Sequence, residues 1–214
     1  MAEQTAVRAV AHGRVQGVGF RDFVVQHAAG LGVLGWVVNQ EDRTVLVHAE
    51  GEDEGVQQLV ELLHDGPPAA QVDGVTVERV DVEGHEQFAV RGVPAGRFAV
   101  HELDVPGGGF ELRLEVGDRE WAWALRKTPS LAPADKRLAV ELERPNTDVP
   151  SSVWDEGLYE QRGRVPWPAA LERGHAMVEL HGERLRGGFA LQRTKPGVRP
   201  QWLLVKRRDV HAEG

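Results

Sequence analysis

The chain has 214 residues, 41% of them hydrophobic, which allows one large or two small globular domains and excludes a disordered chain. Because it contains no cysteine, disulfides and thiolate metal sites are excluded, and a reducing, cytoplasmic compartment is expected. The N-terminal residues lack the features of a signal peptide. No apolar run approaches the roughly 20 residues that span a bilayer.

The formal net charge of −8 is unevenly distributed along the chain. Residues 1–96 contain six arginines and no lysine against 15 acidic residues, whereas residues 97–214 contain 19 basic and 18 acidic residues. The first half would therefore repel the phosphates of a nucleic acid, and the second half gives only weak support for DNA binding.

Residues 6–91 show the sequence patterns of a ferredoxin-like βαββαβ domain. Apolar residues at helical spacing predict two helices, and short apolar or alternating runs predict strands, two of which form a hairpin around a polar turn. In chain order, the predicted elements are a strand at 6–11, a helix at 21–31, strands at 33–38 and 44–49, a helix at 53–63, a strand at 75–82 and a short strand at 88–91.

Residues 93–96 have the composition of a linker, and the sequence pattern changes after them. Short strands separated by turns rich in glycine and proline predict an antiparallel β-barrel or sandwich, of which we favour the barrel. The predicted strands lie at 110–116, 120–125, 138–142, 177–180, 188–192 and 202–206, with a helical turn at 169–173. We therefore predict an α+β protein with one domain at 1–92, a linker at 93–96 and a β-barrel domain at 97–214.

A glycine-rich turn between the first strand and the first helix carries the clearest chemical signal. It reads Gly13-Arg14-Val15-Gln16-Gly17-Val18-Gly19-Phe20-Arg21, and the next strand reads Gly35-Trp36-Val37-Val38-Asn39. The N–H groups of residues 16–20 can face an anion, and Arg21 can add a charged, two-pronged contact. The amide of Asn39, at the end of its strand, can both accept from and donate to a water molecule.

In their order and spacing, these two segments resemble the acylphosphatase family, and the resemblance extends over residues 6–91. It implies that Gln16, Gly17, Val18, Gly19, Phe20 and Arg21 bind phosphate and that Asn39 orients the attacking water. It also implies hydrolysis of carboxyl-phosphate anhydrides without a metal or another cofactor. The family usually has glycine in the hairpin turn where this chain has Arg43, which implies a different turn geometry, remote from the chemistry.

Residues 97–209 resemble the 3′-phosphoesterase domain of bacterial DNA ligase D. The resemblance depends on three segments, at 123–140, 180–191 and 202–206. It implies a compact β-barrel that trims the 3′ ends of DNA with manganese.

Most of the metal ligands of that family are missing from this chain. Its two histidine positions fall on Leu103 and Gly109, Glu111 replaces the aspartate, and Arg113 is retained. A later segment that carries a histidine and a tyrosine in the family is shortened to residues 143–148, with neither ligand. Leucine and glycine cannot coordinate a metal, so we expect this catalysis to be lost. His101, two positions from Leu103, and Glu111 are the residues that could compensate, and manganese is expected only if the domain is active.

The remaining notable residues of the second half are expected to be structural. Trp121, Trp123 and Trp202 should pack in the barrel core rather than stack on bases, and His181 should be a structural histidine. The basic run at 206–208 could contact a phosphate backbone, but the acidic residues after it favour a solvated terminus.

Three functions remain open at this point. The leading one is a hydrolase of small-molecule acyl phosphates, with a non-catalytic phosphoesterase-like second domain and no membrane partner. The alternative is a DNA 3′-end-processing phosphoesterase or DNA-repair accessory protein that acts through the second domain. The third is a binding or scaffolding protein with two inactive enzyme folds.

Overall fold

A computed structural model describes residues 4–213 and divides them into two compact units. The first unit comprises the described residues up to Val93 together with Arg164–Pro166. The second comprises Pro94–Gly163 and the described residues from Trp167 onward. No described helix is long and apolar enough to cross a membrane.

The first unit has a mixed sheet with helices, as the alternation of strand and helix patterns predicts. Its elements are β1 (Gln4–Arg14), α1 (Phe20–Leu31), β2 (Leu34–Asn39), β3 (Val45–Glu52), α2 (Asp53–Asp65), β4 (Gln71–Val80) and β5 (Phe88–Arg91). The strand order in the sheet is β4-β1-β3-β2-β5, with β5 parallel to β2 and the other neighbours antiparallel. The predicted ferredoxin-like arrangement and the β2–β3 hairpin are confirmed.

The core of this unit lies between the helices and one face of the sheet. In β3, Val45, Val47 and Ala49 enter this core, because alternate residues of a strand share a face. Val24 on α1 and Leu59 on α2 pack against them, and each such buried aliphatic side chain contributes about 1.5–3 kcal/mol. The even-numbered residues of β3 therefore lie on the sheet face opposite this core.

Local sequence signals set the limits of α1. The helix begins after Gly19, which is left-handed, and ends at Gly32, whose N–H group is directed to the carbonyls of Ala28 and Ala29. Glycine favours both positions because it adopts positive φ without a steric penalty. The N-terminus of α1 is thus fixed beside the glycine-rich turn.

The second unit is a closed antiparallel β-barrel, as predicted. Its described elements are β6 (Gly96–Leu103), β7 (Phe110–Val116), β8 (Arg119–Leu125), β9 (Arg137–Leu142), β10 (Ser151–Arg162), α3 (Ala169–Arg173), β11 (His175–Gly182), β12 (Arg186–Lys195) and β13 (Gln201–Lys206). The strands close in the order β10-β11-β12-β13-β9-β8-β7-β6, with β6 paired to β10. Two of them, β6 and β10, were absent from the strands predicted by sequence pattern.

Large aromatic side chains fill the barrel interior. Trp121, Trp123 and Trp202 are buried, and the rings of Trp123 and Trp202 meet edge to face at 5.9 Å between centroids. The Trp202 Nε1–H group donates to Glu141 Oε2 at 2.8 Å, which satisfies its polar atom inside the core. Their predicted role in core packing is confirmed.

The C-terminal basic run is not wholly solvated. Lys206, the last residue of β13, is buried, and its Nζ atom donates to Asp209 Oδ2 at 2.5 Å. Arg207 and Arg208 are exposed, as expected. The solvated-terminus expectation is therefore wrong for Lys206, because an ion pair with the following acidic residue allows the lysine to be buried.

Candidate functional site

The segment after β1 is an open glycine-rich loop. Gly17 and Gly19 have φ values of 71° and 78°, in the left-handed region that favours glycine. A Cβ atom added at either position would meet no protein atom within 4 Å, so the space above both residues is open. None of the N–H groups of residues 16–19 donates to a main-chain carbonyl within the described residues. The loop therefore carries four N–H groups without a main-chain partner in the described structure, beside open space at its two glycines.

The first turn of α1 adds further donors to this loop. Phe23 N–H donates to the Gly19 carbonyl, which is the first helical hydrogen bond, and the N–H groups of the three preceding residues do not donate to a carbonyl one turn earlier. Phe20 is buried in the core and anchors this end of the helix. Unpaired N–H groups and the positive end of the helix dipole together favour an anion at this end.

Arg21 and Asn39 are both half-buried, and the sheet places them at related positions. Ala11 of β1 and Asn39 of β2 are both register partners of Val45, on opposite sides of β3. Because β1 and β2 are both antiparallel to β3, the loop after β1 and Asn39 lie at the same end of the sheet. Within the described part of the chain, neither the Arg21 nor the Asn39 side chain forms a hydrogen bond or an ion pair.

Gln16 joins the loop to the β2–β3 hairpin. Its Nε2 atom donates to the main-chain carbonyls of Gln40 at 2.9 Å and Thr44 at 2.8 Å. Gln40 directly follows Asn39, so this contact links the glycine-rich loop to the end of β2, where the Asn39 side chain lies. Sequence reasoning assigned Gln16 only through its main-chain N–H group and missed this side-chain role.

The hairpin turn itself is held by Asp42. Its carboxylate accepts hydrogen bonds from the Thr44 hydroxyl at 2.6 Å and the Thr44 N–H group at 3.0 Å, and these bonds lower the pKa of Asp42. Arg43 has a φ of 71°, in the left-handed region where glycine is favoured. An arginine therefore adopts a backbone conformation that glycine favours here, and the expected difference in turn geometry from the family stays a prediction.

The chemical capacity of this end of the sheet follows from its residue types. Main-chain N–H groups and a guanidinium bind a phosphoryl group without needing to lose a proton. A neutral amide can hold a water molecule without repelling the anion, as a carboxylate would. The arrangement suits attack by water on a bound, activated phosphoryl group.

In the barrel, the positions compared above with the metal ligands of the DNA ligase D phosphoesterase family hold an ion pair. No metal-binding set is found there among the described residues. Glu111 is buried and accepts from Arg113 Nε at 2.7 Å, from the Asn146 N–H group at 3.1 Å and from the Asn146 side-chain amide. Leu103 and Gly109 offer no side-chain ligand. Since two of the four positions carry no donor atom and the charge of Glu111 is paired with the Arg113 guanidinium, these residues do not fit a manganese ion.

The two histidines singled out in the barrel have ordinary partners. His101 is the register partner of Glu111, and its Nδ1 atom lies 3.4 Å from the Ser151 hydroxyl. Burial, followed by the charge of Arg113, lowers the pKa of His101 and so disfavours the imidazolium. The His181 Nε2 atom lies 3.1 Å from Glu160 Oε1, a pairing compatible with a structural role.

A buried polar cluster in the first unit was not predicted. His48 and Glu50 of β3 lie beside His85 of the β4–β5 segment, and all three are buried. Burial alone would raise the pKa of Glu50, but hydrogen bonds from His48 and from two main-chain N–H groups hold it below its usual range. The i, i+2 spacing of His48 and Glu50 on a strand is visible in the sequence, whereas nothing there indicates that His85 joins them.

Comparison with known proteins agrees with the first-unit geometry. The acylphosphatase family model matches residues 7–90. An acylphosphatase from Thermotoga petrophila is 42% identical over 86 residues, which cover 40% of this chain and 96% of that protein. One from Anaeromyxobacter dehalogenans is 50% identical over 84 residues, which cover 39% of this chain and 90% of that protein.

The other matches concern solved structures and the second unit. An acylphosphatase structure from Coxiella burnetii has 39% sequence identity and a TM-score of 0.40, covering 41% of this chain and 93% of that chain. The DNA ligase D 3′-phosphoesterase domain model matches residues 101–193. The chain therefore belongs to the acylphosphatase family through residues 7–90, and joins to that domain a second one similar to the 3′-phosphoesterase domain of DNA ligase D.

Proposed function

We propose that the first unit hydrolyses acyl phosphates to a carboxylate and inorganic phosphate. The N–H groups of Gln16, Gly17, Val18, Gly19 and Phe20, with the guanidinium of Arg21, bind the phosphoryl oxygens, and Asn39 orients the attacking water. The observation that carries this proposal is the set of unpaired loop amides at the end of the sheet that also carries Asn39. The family resemblance over residues 7–90 supports the same assignment.

The proposed reaction requires positioning and charge stabilisation more than proton transfer. Water held by the Asn39 amide attacks phosphorus, the phosphorus–oxygen bond to the acyl group breaks, and the carboxylate leaves. The water proton passes to a phosphoryl oxygen. Fixed N–H donors and Arg21 stabilise the charge on the equatorial oxygens as the transition state forms.

The leaving group explains why no general acid or metal is required in this scheme. A carboxylate is a weak base and leaves without protonation, so the loop, Arg21 and Asn39 suffice. We therefore propose a small-molecule acyl phosphate as the substrate and no cofactor for the first unit.

Hydrolysis of benzoyl phosphate in the presence of a chelator tests the proposal. We expect Arg21→Ala and Asn39→Ala each to lower kcat/KM by about a hundredfold, since one preorganised charge-stabilising donor is worth about 3 kcal/mol. Arg79→Ala is the matched control, because the Arg79 side chain is 79% exposed on β4 and outside this site. Turnover unchanged in Arg21→Ala, or absent in the wild-type protein, would contradict the proposal.

For the barrel we propose a non-catalytic role. Its support is the Glu111–Arg113 ion pair, which occupies the carboxylate that a metal would need. A DNA primer with a 3′ phosphate, incubated with the full chain and manganese, should remain unprocessed. Manganese-dependent removal of the phosphate that is lost in Glu111→Gln would instead establish the DNA-end-processing alternative. Inactivity of both units, with acyl phosphates and with this primer, would favour the scaffolding hypothesis.

A further inference from the structure

The geometry points to a site in the first unit, formed by His48, Glu50 and His85, that binds zinc or a similar divalent transition-metal ion. One potential ligand atom from each of these three residues lies within 4.8 Å of the other two. Two imidazoles and a carboxylate form a ligand set that zinc accepts, with a fourth coordination position left open. This site lies outside the loop, Arg21 and Asn39, and it does not depend on the proposed hydrolysis.

The sheet itself brings two of the ligands together. His48 and Glu50 are two residues apart on β3, so their side chains share the face opposite the helices. The His48 Nε2 atom lies 3.1 Å from Glu50 Oε2. Two ligand atoms each about 2.1 Å from one tetrahedral ion are about 3.4 Å apart, so this pair is near the spacing that the ion requires, and the third ligand atom, on His85, lies within 4.8 Å of both.

His85 completes the set from a segment without regular secondary structure. Residues 81–87 connect β4 to β5, and the Glu83 and His85 N–H groups both donate to the Glu50 carboxylate. These hydrogen bonds hold the segment against β3. They place the His85 ring 5.3 Å from the His48 ring, measured between centroids.

The buried nitrogens of the two histidines are incompletely bonded. The Nδ1 atoms of His48 and His85 are both buried without a hydrogen-bond partner in the described structure. Leaving a buried polar atom unpaired costs about 1–3 kcal/mol, so each such atom calls for an explanation, of which a bound ion is one. His48 offers the ion its Nε2 atom, beside Glu50, so the orphaned atom that the ion satisfies is Nδ1 of His85, whose Nε2 atom is already bonded to Glu83.

Surrounding residues orient the rings as the outer partners of metal ligands do. The His85 Nε2 atom lies 3.1 Å from Glu83 Oε2, and a carboxylate bonded to one ring nitrogen fixes an imidazole for binding through the other. Trp36 stacks on His48 with 5.8 Å between ring centroids. Glu50 places one negative charge on the ion, and Glu83 adds a second nearby that it shares with Arg8.

Zinc binding to the full chain tests the inference. Protein freed of metal by a chelator and then dialysed should bind one zinc ion per chain in calorimetry and should gain thermal stability on binding. Cobalt(II) in place of zinc should give the visible absorption of a low-symmetry, four- or five-coordinate site. His85→Gln should lower zinc affinity more than tenfold, and Glu83→Gln should lower it about ten- to hundredfold by releasing the ring of His85.

Controls separate this site from other histidines and from a folding defect. His64→Gln and His101→Gln, on α2 and in the barrel, should bind zinc as the wild-type protein does, and so should Arg21→Ala. Glu83 is partly exposed, so Glu83→Gln tests the site without emptying a buried position. Absence of saturable zinc binding in the wild-type protein would overturn the inference. Binding that survives in both His85→Gln and Glu83→Gln, or that is lost in His64→Gln or His101→Gln, would also overturn it.

Discussion

The Gln16 side chain donates through Nε2 to the Gln40 carbonyl at 2.9 Å, next to Asn39 in the sequence. A second bond from the same Nε2 atom reaches the Thr44 carbonyl at 2.8 Å. The two bonds join the glycine-rich loop after β1 to the end of β2, where the Asn39 side chain lies. In the proposed reaction, Gln16 therefore sets the position of the bound phosphoryl group relative to the water.

Gln16→Ala should lower kcat/KM for benzoyl phosphate by ten- to a hundredfold, because a displacement of about 1 Å between reacting groups can cost a hundredfold in rate. The loss of its hydrogen bonds should reduce the free energy of unfolding by only about 1 kcal/mol. Steady-state kinetics and urea unfolding measure the two effects separately.

Gln40→Ala is the control for this prediction. It removes the Gln40 side chain, which accepts from the Thr44 hydroxyl, but keeps the main-chain carbonyl that accepts from Gln16. Activity should stay near the wild-type value. Equal losses of activity in the two variants would argue against a positioning role for Gln16.

Gly19→Ala should lower both stability and activity through the backbone. At φ 78°, an alanine is strained by about 1–2 kcal/mol, although its Cβ would meet no protein atom within 4 Å. The strain can be relieved only by moving the loop amides, so kcat/KM should fall as well. Chemical unfolding and benzoyl phosphate kinetics measure the two losses.

Gly30→Ala, inside α1, should change stability in the opposite direction. Gly30 lies inside α1 without positive φ and with open space around it, so alanine should stabilise the helix by about 0.5–1 kcal/mol and leave activity unchanged. A stabilising Gly19→Ala would show that the left-handed conformation of the loop is not required.

Regular elements were predictable where the pattern was local and unbroken. The alternation of apolar and charged residues predicted both ends of β7 at Phe110–Val116, and the short strand pattern at Phe88–Arg91 predicted both ends of β5. The strand β10 was missed because its register shifts between Val153 and Asp155, which breaks the alternation. Asp155 also places a carboxylate in a buried position, where it accepts three main-chain N–H groups of the segment 183–185.

The same distinction applies to the candidate sites. The loop, Arg21 and Asn39 were predictable because one contiguous motif and one strand end carry them. The hydrogen bonds from the Gln16 side chain could not be predicted, since their acceptors are main-chain carbonyls 24 and 28 residues away, which any residue type carries. Likewise, His85 reaches Glu50 across 35 residues from an irregular segment.

Removal of Arg113 should strongly destabilise the barrel. Glu111 is buried, so Arg113→Met leaves a carboxylate bonded only by Asn146 and should cost about 3–5 kcal/mol in the free energy of unfolding. The double variant Glu111→Met/Arg113→Met removes both charges and should recover most of this loss. Urea unfolding followed by tryptophan fluorescence compares the three proteins. A double variant no more stable than Arg113→Met would show that the unpaired charge is not the cause.

Tyr159 gives the barrel an alkaline transition that can be observed directly. Burial raises the pKa of Tyr159 to about 12, and its hydroxyl donates to the Glu115 carbonyl at 2.5 Å. The unfolded pKa is about 10. Because the folded pKa is the higher one, the stability due to the phenol is complete below pH 10 and is lost as the pH rises toward 12.

The chain contains a single tyrosine, so the ultraviolet difference spectrum of the phenolate reports Tyr159 alone. We expect no phenolate in the folded protein at pH 10, and ionisation with a pKa near 10 once denaturant unfolds the barrel. Tyr159→Phe should abolish this signal. It should also lower the free energy of unfolding at pH 7 by about 1 kcal/mol, the value of one hydrogen bond. A folded protein that titrates near pH 10 would contradict the buried, donating hydroxyl, since a phenol in contact with water ionises at its ordinary pKa.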